Sequence, residues 1–299
     1  MHMSEIVVLT PLFDPTGAAF SLFGKTATSV LQQSNVDFVW KISLQDVSPL
    51  YENFLVQLAR DERVEIIHRV GVSRLPEHLT KLIEETGDAK VHLLCQDDYY
   101  LNRLALLEIS ELLDKWDALF ILPKANKRYF AHGAKYESDL SRFKENLGIN
   151  TLGGLSTLAW NASRYGSSSK KLMYNLYADL EFRNVLRDNG KRNVAIVHGG
   201  KLIGETQWSG QAQFCMSELA NSEATSWLVE HPILRHQVPF ALYCASLYRN
   251  RQIKCALFGT YVQKNQRNIV IQIFGRLGDV SGIFRGAWVR SRRFVQGYE

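Results

Sequence analysis

Four cysteines in 299 residues leave little room for sulfur chemistry. Cys95, Cys215, Cys244 and Cys255 form no C-x-x-C pair, and most lie in apolar surroundings. That spacing suggests no zinc site and fits the buried thiols of a reducing, cytoplasmic compartment. No apolar run reaches the roughly 18 residues of a membrane span, so no transmembrane helix is expected. The N-terminus has no basic segment leading into an apolar stretch, which argues against a secretory signal. Internal repeats and low-complexity tracts are also missing, so nothing in the pattern suggests a repeat array.

What remains is a chain long enough for a full core, either one large domain or a domain with an appendage. Its net charge of +5 is unevenly placed. From Arg249 to Glu299 ten basic residues stand against Asp279 and Glu299, so this tail carries +8 and the first 248 residues carry −3. Such a tail points to an anionic partner surface, with lipid or a phosphorylated acceptor favoured over nucleic acid. Arg290, Arg292 and Arg293 with Trp288 and Phe294 suggest a peripheral membrane patch. A solvated basic end is the plain alternative.

Strands and helices alternate along the first two-thirds. "EIVVLTPLF" reads as a buried strand ended by Pro11, and "AFSLFGKTATSVLQQS" as a helix with Phe20, Phe23, Ala27, Val30 and Leu31 on one side. "DFVWKISLQD", "RVEIIHRV", "KVHLLCQDD" and the start of "DALFILPKANKRYF" are further strands, with helices between them. Gly87 closes the helix "LPEHLTKLIEETG" as a left-handed stop. This order predicts an α/β fold with a doubly wound, mainly parallel sheet. Beyond residue 130 the pattern loosens, and the Gly-, Ser- and Asn-rich stretch to Lys171 reads as loops. "RNVAIVHGG" is a later strand, and "MSELANSEATSWLVEHP" a helix.

In "VHLLCQDDYYLNR" an apolar strand runs directly into two aspartates. Open α/β sheets bind ligands at the carboxyl ends of their strands, where Asp97 and Asp98 fall. Adjacent carboxylates repel unless a cation or proton lies between them, so the pair suggests a divalent-metal site. A solvated turn explains it about as well. Asp46 and His198 end other strands on the same edge, while Asp179 and Arg183 share a helix face.

In this order the motifs resemble the family-2 nucleotide-sugar glycosyltransferases of GT-A fold. "VVLTPLF", "SVLQQS" before "DFVWKISLQD", and "RVEIIHRVGVS" follow that family's opening, and "CQDDY" takes the place of its metal-binding D-x-D. "ADLEF" with "LRDNGKR" stands where the catalytic base is found, and the likeness covers roughly residues 4 to 200. The resemblance implies an inverting glycosyltransferase using Mn2+ or Mg2+. By its pattern Thr10, Pro11, Asp46, Arg74 and Asp97 would contact the nucleotide. Asp98 and His198 would hold the metal, and Asp179 would be the base. Gln96 replaces the first aspartate of D-x-D, and Ala178 replaces a glutamate.

Each residue has an ordinary alternative: a turn for Asp46 and Asp97, an exposed pair with Arg183 for Asp179, a core or capping role for His198. "GGLSTLAWN" could be an acceptor loop with Gly154 and a sugar-stacking Trp160, or a turn with a core tryptophan. The expected organisation is a GT-A domain over residues 4–210 and a basic extension over 211–299. The expected partners are a nucleoside-diphosphate sugar, UDP-linked by preference, and a saccharide or lipid-linked acceptor of bacterial surface polysaccharide, with no nucleic acid. A sugar nucleotidyltransferase would need a Gly- and Arg-rich loop where the chain has "LTPLFDPTG". A catalytically silent nucleotide- or glycan-binding protein stays open.

Overall fold

The computed structural model describes residues 6–69, 75–121, 155–165, 181, 194–197, 202–204, 218–230, 238–247, 254, 256–257, 269–270, 272–281 and 283. The chain forms two compact units, one of residues 1–142 and 151–208 and one of residues 143–150 and 209–299.

The first unit is built on a seven-stranded sheet. Its strands are β1 (Ile6–Asp14), β2 (Phe38–Val47), β3 (Val64–His68), β4 (Lys90–Leu93), β6 (Ala118–Ile121), β7 (Leu158–Asn161) and β8 (Val194–Val197), in the order β3-β2-β1-β4-β7-β6-β8. The β7 strand runs antiparallel to β4 and β6; every other pairing is parallel. A two-stranded ribbon joins β5 (Tyr99–Tyr100) to β9 (Ile203–Gly204). The sheet is doubly wound and mainly parallel, as its buried apolar strands imply.

Helix α1 (Phe20–Leu31) buries Phe23, Thr26, Ala27 and Val30, a set at the i, i+3, i+4, i+7 spacing of one helix face. The Phe23 ring lies 6.0, 5.7 and 5.8 Å from those of Trp40, Tyr51 and Phe54. Short α2 (Glu52–Leu58) supplies Phe54, and α3 (Leu75–Glu84) is followed by Gly87 at φ +58, the left-handed stop that its sequence predicts. Helices α4 (Ala105–Lys115) and α5 (Ala162–Tyr165) complete this unit's described α-helices of more than one residue.

Two sequence expectations are corrected. Pro11 does not end β1, which continues to Asp14. The Leu9 carbonyl accepts from Leu94 N at 2.9 Å, so β1 residues of that parity point their peptide groups toward β4. The β4 strand ends at Leu93, so the N–H that Pro11 lacks falls where no strand remains to pair with it. The stretch predicted as loops also contributes a strand, since β7 inserts between β4 and β6.

In the second unit, α6 (Glu218–Glu230) and α7 (Val238–Leu247) are joined by further helical residues, among them 272–281. A side chain at Gly278 would strike the Tyr243 carbonyl of α7, and one at Gly275 would lie 3.1 Å from Leu242. Close backbone approach explains both glycines.

Candidate functional site

The parallel strands β2, β1 and β4 bring their carboxyl ends to one edge of the sheet. After β4 the chain turns through Cys95–Asp98, with Asp98 N donating to the Cys95 carbonyl at 3.1 Å. Two side chains from distant parts of the sequence, Ser156 and Thr26, and one from the turn itself, Gln96, fix it. The Ser156 hydroxyl accepts from Cys95 N at 2.7 Å and donates to Asp98 Oδ2 at 2.5 Å. The Thr26 hydroxyl, on α1, lies 2.8 Å from the Gln96 carbonyl and 2.7 Å from that of Asp98. The Gln96 amide reaches back to β1, accepting from Phe13 N at 2.8 Å and donating to Phe13 O at 3.0 Å. Gln96 thus serves as a substitute peptide group, extending the β1–β4 ladder past the end of β4. Its side chain is committed to the backbone and faces no ligand.

Beneath the turn, His92 is fully buried between the Tyr100 hydroxyl at 2.7 Å and the Ser156 carbonyl at 3.0 Å. A carbonyl only accepts, so Nε2 carries the proton and Nδ1 accepts from Tyr100. Burial pushes the His92 pKa down to about 4, so the ring is neutral. His78 is likewise buried, between Gln45 and Ser43, and is pushed down to about 4 by burial and then by Arg69.

Both rings are neutral when folded and would bind protons when unfolded. Stability is therefore complete above the ordinary value of 6.5 and is lost as pH falls toward 4. The loss is at most about 3 kcal/mol per ring. Melting curves from pH 7.5 to 4.5 should show this fall, and His92→Asn should flatten it whatever its absolute stability.

Asp97 and Asp98 are 8 % and 5 % exposed. Burial pushes Asp97 up to about 6, with a backbone N–H offsetting part of the effect. The Cys95 thiol is also raised, by burial first and then by the two carboxylates, so it remains a neutral thiol. A buried carboxyl kept from ionising by lack of solvent is one that a cation would stabilise. The donors are hard oxygens, which suits Mg2+ or Mn2+. Among the described residues no three His, Cys, Asp or Glu side chains stand together. Two carboxylates completed by substrate phosphates are a common arrangement for such ions, so the residues present fit one.

The other predicted residues divide clearly. Thr10 is fully buried inside β1, where its hydroxyl accepts from Trp40 Nε1 at 2.9 Å, and Pro11 is buried beside it. Both side chains are enclosed within the protein, away from the exposed edge at Phe13. Exposed Phe13 and buried Asp14 occupy the end of β1 instead. Asp14 accepts from Ala18 N, Ala19 N, Thr16 Oγ1 and Tyr51 Oη at 2.8–3.2 Å, and so shapes the passage from β1 into α1. Asp46 is exposed at the end of β2 with φ 51, where β2 gains one residue over β1. Asp is among the residues that tolerate this left-handed bulge. Trp160 is 3 % exposed in β7, in register with Val91 and Ala118, which makes it a core residue and corrects the sugar-platform assignment. Arg74, Gly154, Asp179 and His198 lie outside the described residues.

Sequence reasoning missed Ser156 and Asp14. Nothing in "GGLSTLAWN" marks Ser156. Asp14 carried a signal, since D-P-T-G is a turn pattern in which an aspartate caps its own loop.

The fold has counterparts among solved structures. Residues 1–349 of S. aureus TarS in complex with UDP-GlcNAc align at a TM-score of 0.53 and 12 % identity, over 87 % of this chain and 74 % of that one. The Pyrobaculum calidifontis mannosyltransferase PcManGT in complex with GDP-Man and Mn2+ aligns at 0.57 and 10 % identity, over 96 % and 88 %. The fold is that of the GT-A-type glycosyltransferases. No protein-family model matches the sequence, and no curated protein does. In GT-A terms, "CQDDY" occupies the turn after β4, with Gln96 facing β1 and the two aspartates following it.

Proposed function

We propose that the chain transfers a sugar from a nucleoside-diphosphate donor to a saccharide acceptor, inverting the anomeric centre. The observation that carries this reading is the buried Asp97–Asp98 pair, held rigidly at the carboxyl edge of a GT-A sheet by Ser156, Thr26 and Gln96. TarS with UDP-GlcNAc and PcManGT with GDP-Man support a nucleotide sugar as donor, and a UDP-sugar is the first to test.

In this reading Asp98 and Asp97 hold Mn2+ or Mg2+, with Asp97 also toward the ribose. When bound, such a cation offsets negative charge developing on the departing diphosphate. His198 follows β8 directly, and the Leu202 carbonyl accepts from Leu101 N at 2.9 Å, three residues past Asp98. His198 is assigned as a third ligand on the family resemblance. Phe13 and Asp46 flank the site on the base side, and Arg74 meets the phosphates. Asp179 takes the proton from the attacking acceptor hydroxyl, a role worth about a hundred- to ten-thousandfold. Gly154 lies toward the acceptor.

Residues 4–210 carry the transfer. Residues 211–299 contact the acceptor or a membrane surface, with a lipid-linked acceptor of a bacterial surface polysaccharide as the favoured class. A second reading, a silent nucleotide-binding protein, draws on the commitment of Gln96 to β1 and on Ala178.

The test is nucleotide release from UDP-GlcNAc, UDP-glucose and GDP-mannose with Mn2+. Release from one donor should fall about a hundredfold or more in Asp98→Ala. Binding with neither hydrolysis of any donor nor transfer to added saccharide acceptors would favour the silent reading and sink the transferase.

A further inference from the structure

The second unit exposes an apolar stripe that its own packing does not use. Ile269, Ile273, Leu277, Val280 and Ile283 are 68, 49, 51, 51 and 61 % exposed. In the helical residues 269–270, 272–281 and 283 their spacing of four, four, three and three corresponds to about a third of a helix's circumference. Gly275 and Gly278 are buried against Leu242, Tyr243 and Ser246 of α7, and their mean direction is about opposite to the stripe. The helix is thus already docked by its glycine side. The stripe is a second face, turned away from α7.

Charge identifies what covers it. The segment from Arg249 to Glu299 carries +8, and the Asp279 carboxylate is tied to Lys254 Nζ at 2.6 Å. By sequence the segment that contains the stripe is strongly basic, which an anionic bilayer complements and a second copy of the same charge opposes. Arg276 lies within the apolar arc, where its long stem can bury while its charge reaches a headgroup phosphate.

We propose that Ile269, Ile273, Leu277, Val280 and Ile283 form a membrane-docking stripe that lies in the interface of a bilayer rich in anionic lipid. This deepens the reading of a lipid-linked acceptor. Vesicle binding requires neither donor nor transfer, so either idea can fail without the other.

The full chain is sedimented with vesicles of equal phosphatidylglycerol and phosphatidylcholine, and with phosphatidylcholine alone. The wild type should bind the anionic vesicles about tenfold or more tighter. The double variant Ile273→Ser, Leu277→Ser, in which both positions start half-exposed, should lose about tenfold or more of that binding. Hydrogen exchange on the unaltered chain gives an independent reading, because backbone amides between 269 and 283 should gain protection on anionic vesicles. Equal binding by the variant, no vesicle binding, or no gain in protection overturns the proposal. So does a wild-type dimer, by light scattering, that the double variant reduces to monomer without any effect of vesicles.

Discussion

Asp97→Asn should melt about 5 °C higher than the wild type at pH 8 without divalent cation, and should lose Mn2+-dependent nucleotide binding. Asp97 is raised from 3.8 to about 6 by burial, so its ionised form costs the folded state about 3 kcal/mol above pH 6. A raised carboxyl pKa means that the folded state binds the extra proton. The cost is absent below the ordinary value of 3.8, grows as pH rises toward 6, and is constant beyond it. Asparagine keeps the shape and removes the charge, so its advantage should vanish by about pH 4. The same charge is what a cation requires. Nucleotide affinity in Mn2+ should therefore weaken in the wild type as pH falls below about 6, where Asp97 takes up its proton. Calorimetric melting and nucleotide titration on one pair of proteins read both effects. A variant no more stable at pH 8, or one that still binds nucleotide through Mn2+, contradicts this account of the site.

Asp179→Ala should retain metal-dependent nucleotide binding and lose transfer by about a hundred- to ten-thousandfold. The acceptor hydroxyl must shed its proton as it attacks, while donor binding needs no base. The proposed division of labour between Asp98 and Asp179 thus predicts opposite patterns. Asp98→Ala loses binding and turnover together, and Asp179→Ala loses turnover alone. Equilibrium binding beside single-turnover transfer separates them. Loss of binding in Asp179→Ala would assign that residue to structure and leave the base unidentified.

Much of the sheet was readable because its strands are continuous apolar runs. "IVVLTPLF" and "VHLLC" could only be buried on both faces, and the aspartates after the second run had to emerge at its carboxyl end. The helix signals were equally local, as with Phe23, Ala27 and Val30 on one side of α1. Long-range partners were not readable. Ser156 and Asp98 are 58 residues apart, and Gln96 and Phe13 are 83 apart, so no window of sequence joins them. For Trp160 the surrounding glycine, serine and asparagine leave a sugar platform and a core tryptophan equally open, and the pairing of β7 with β4 and β6 decides for the core. Pro11 looked like a strand end because proline lacks a donor; only the departure of β4 shows that no donor is needed there.

A thermal-shift screen of UDP, GDP, CMP and dTDP, each with and without Mn2+, tests the central claim most directly when run on the wild type and Asp98→Ala. One nucleotide should raise the melting temperature only with Mn2+, and Asp98→Ala should abolish the shift. No shift with any nucleotide in either condition, or an equal shift in Asp98→Ala, would contradict it.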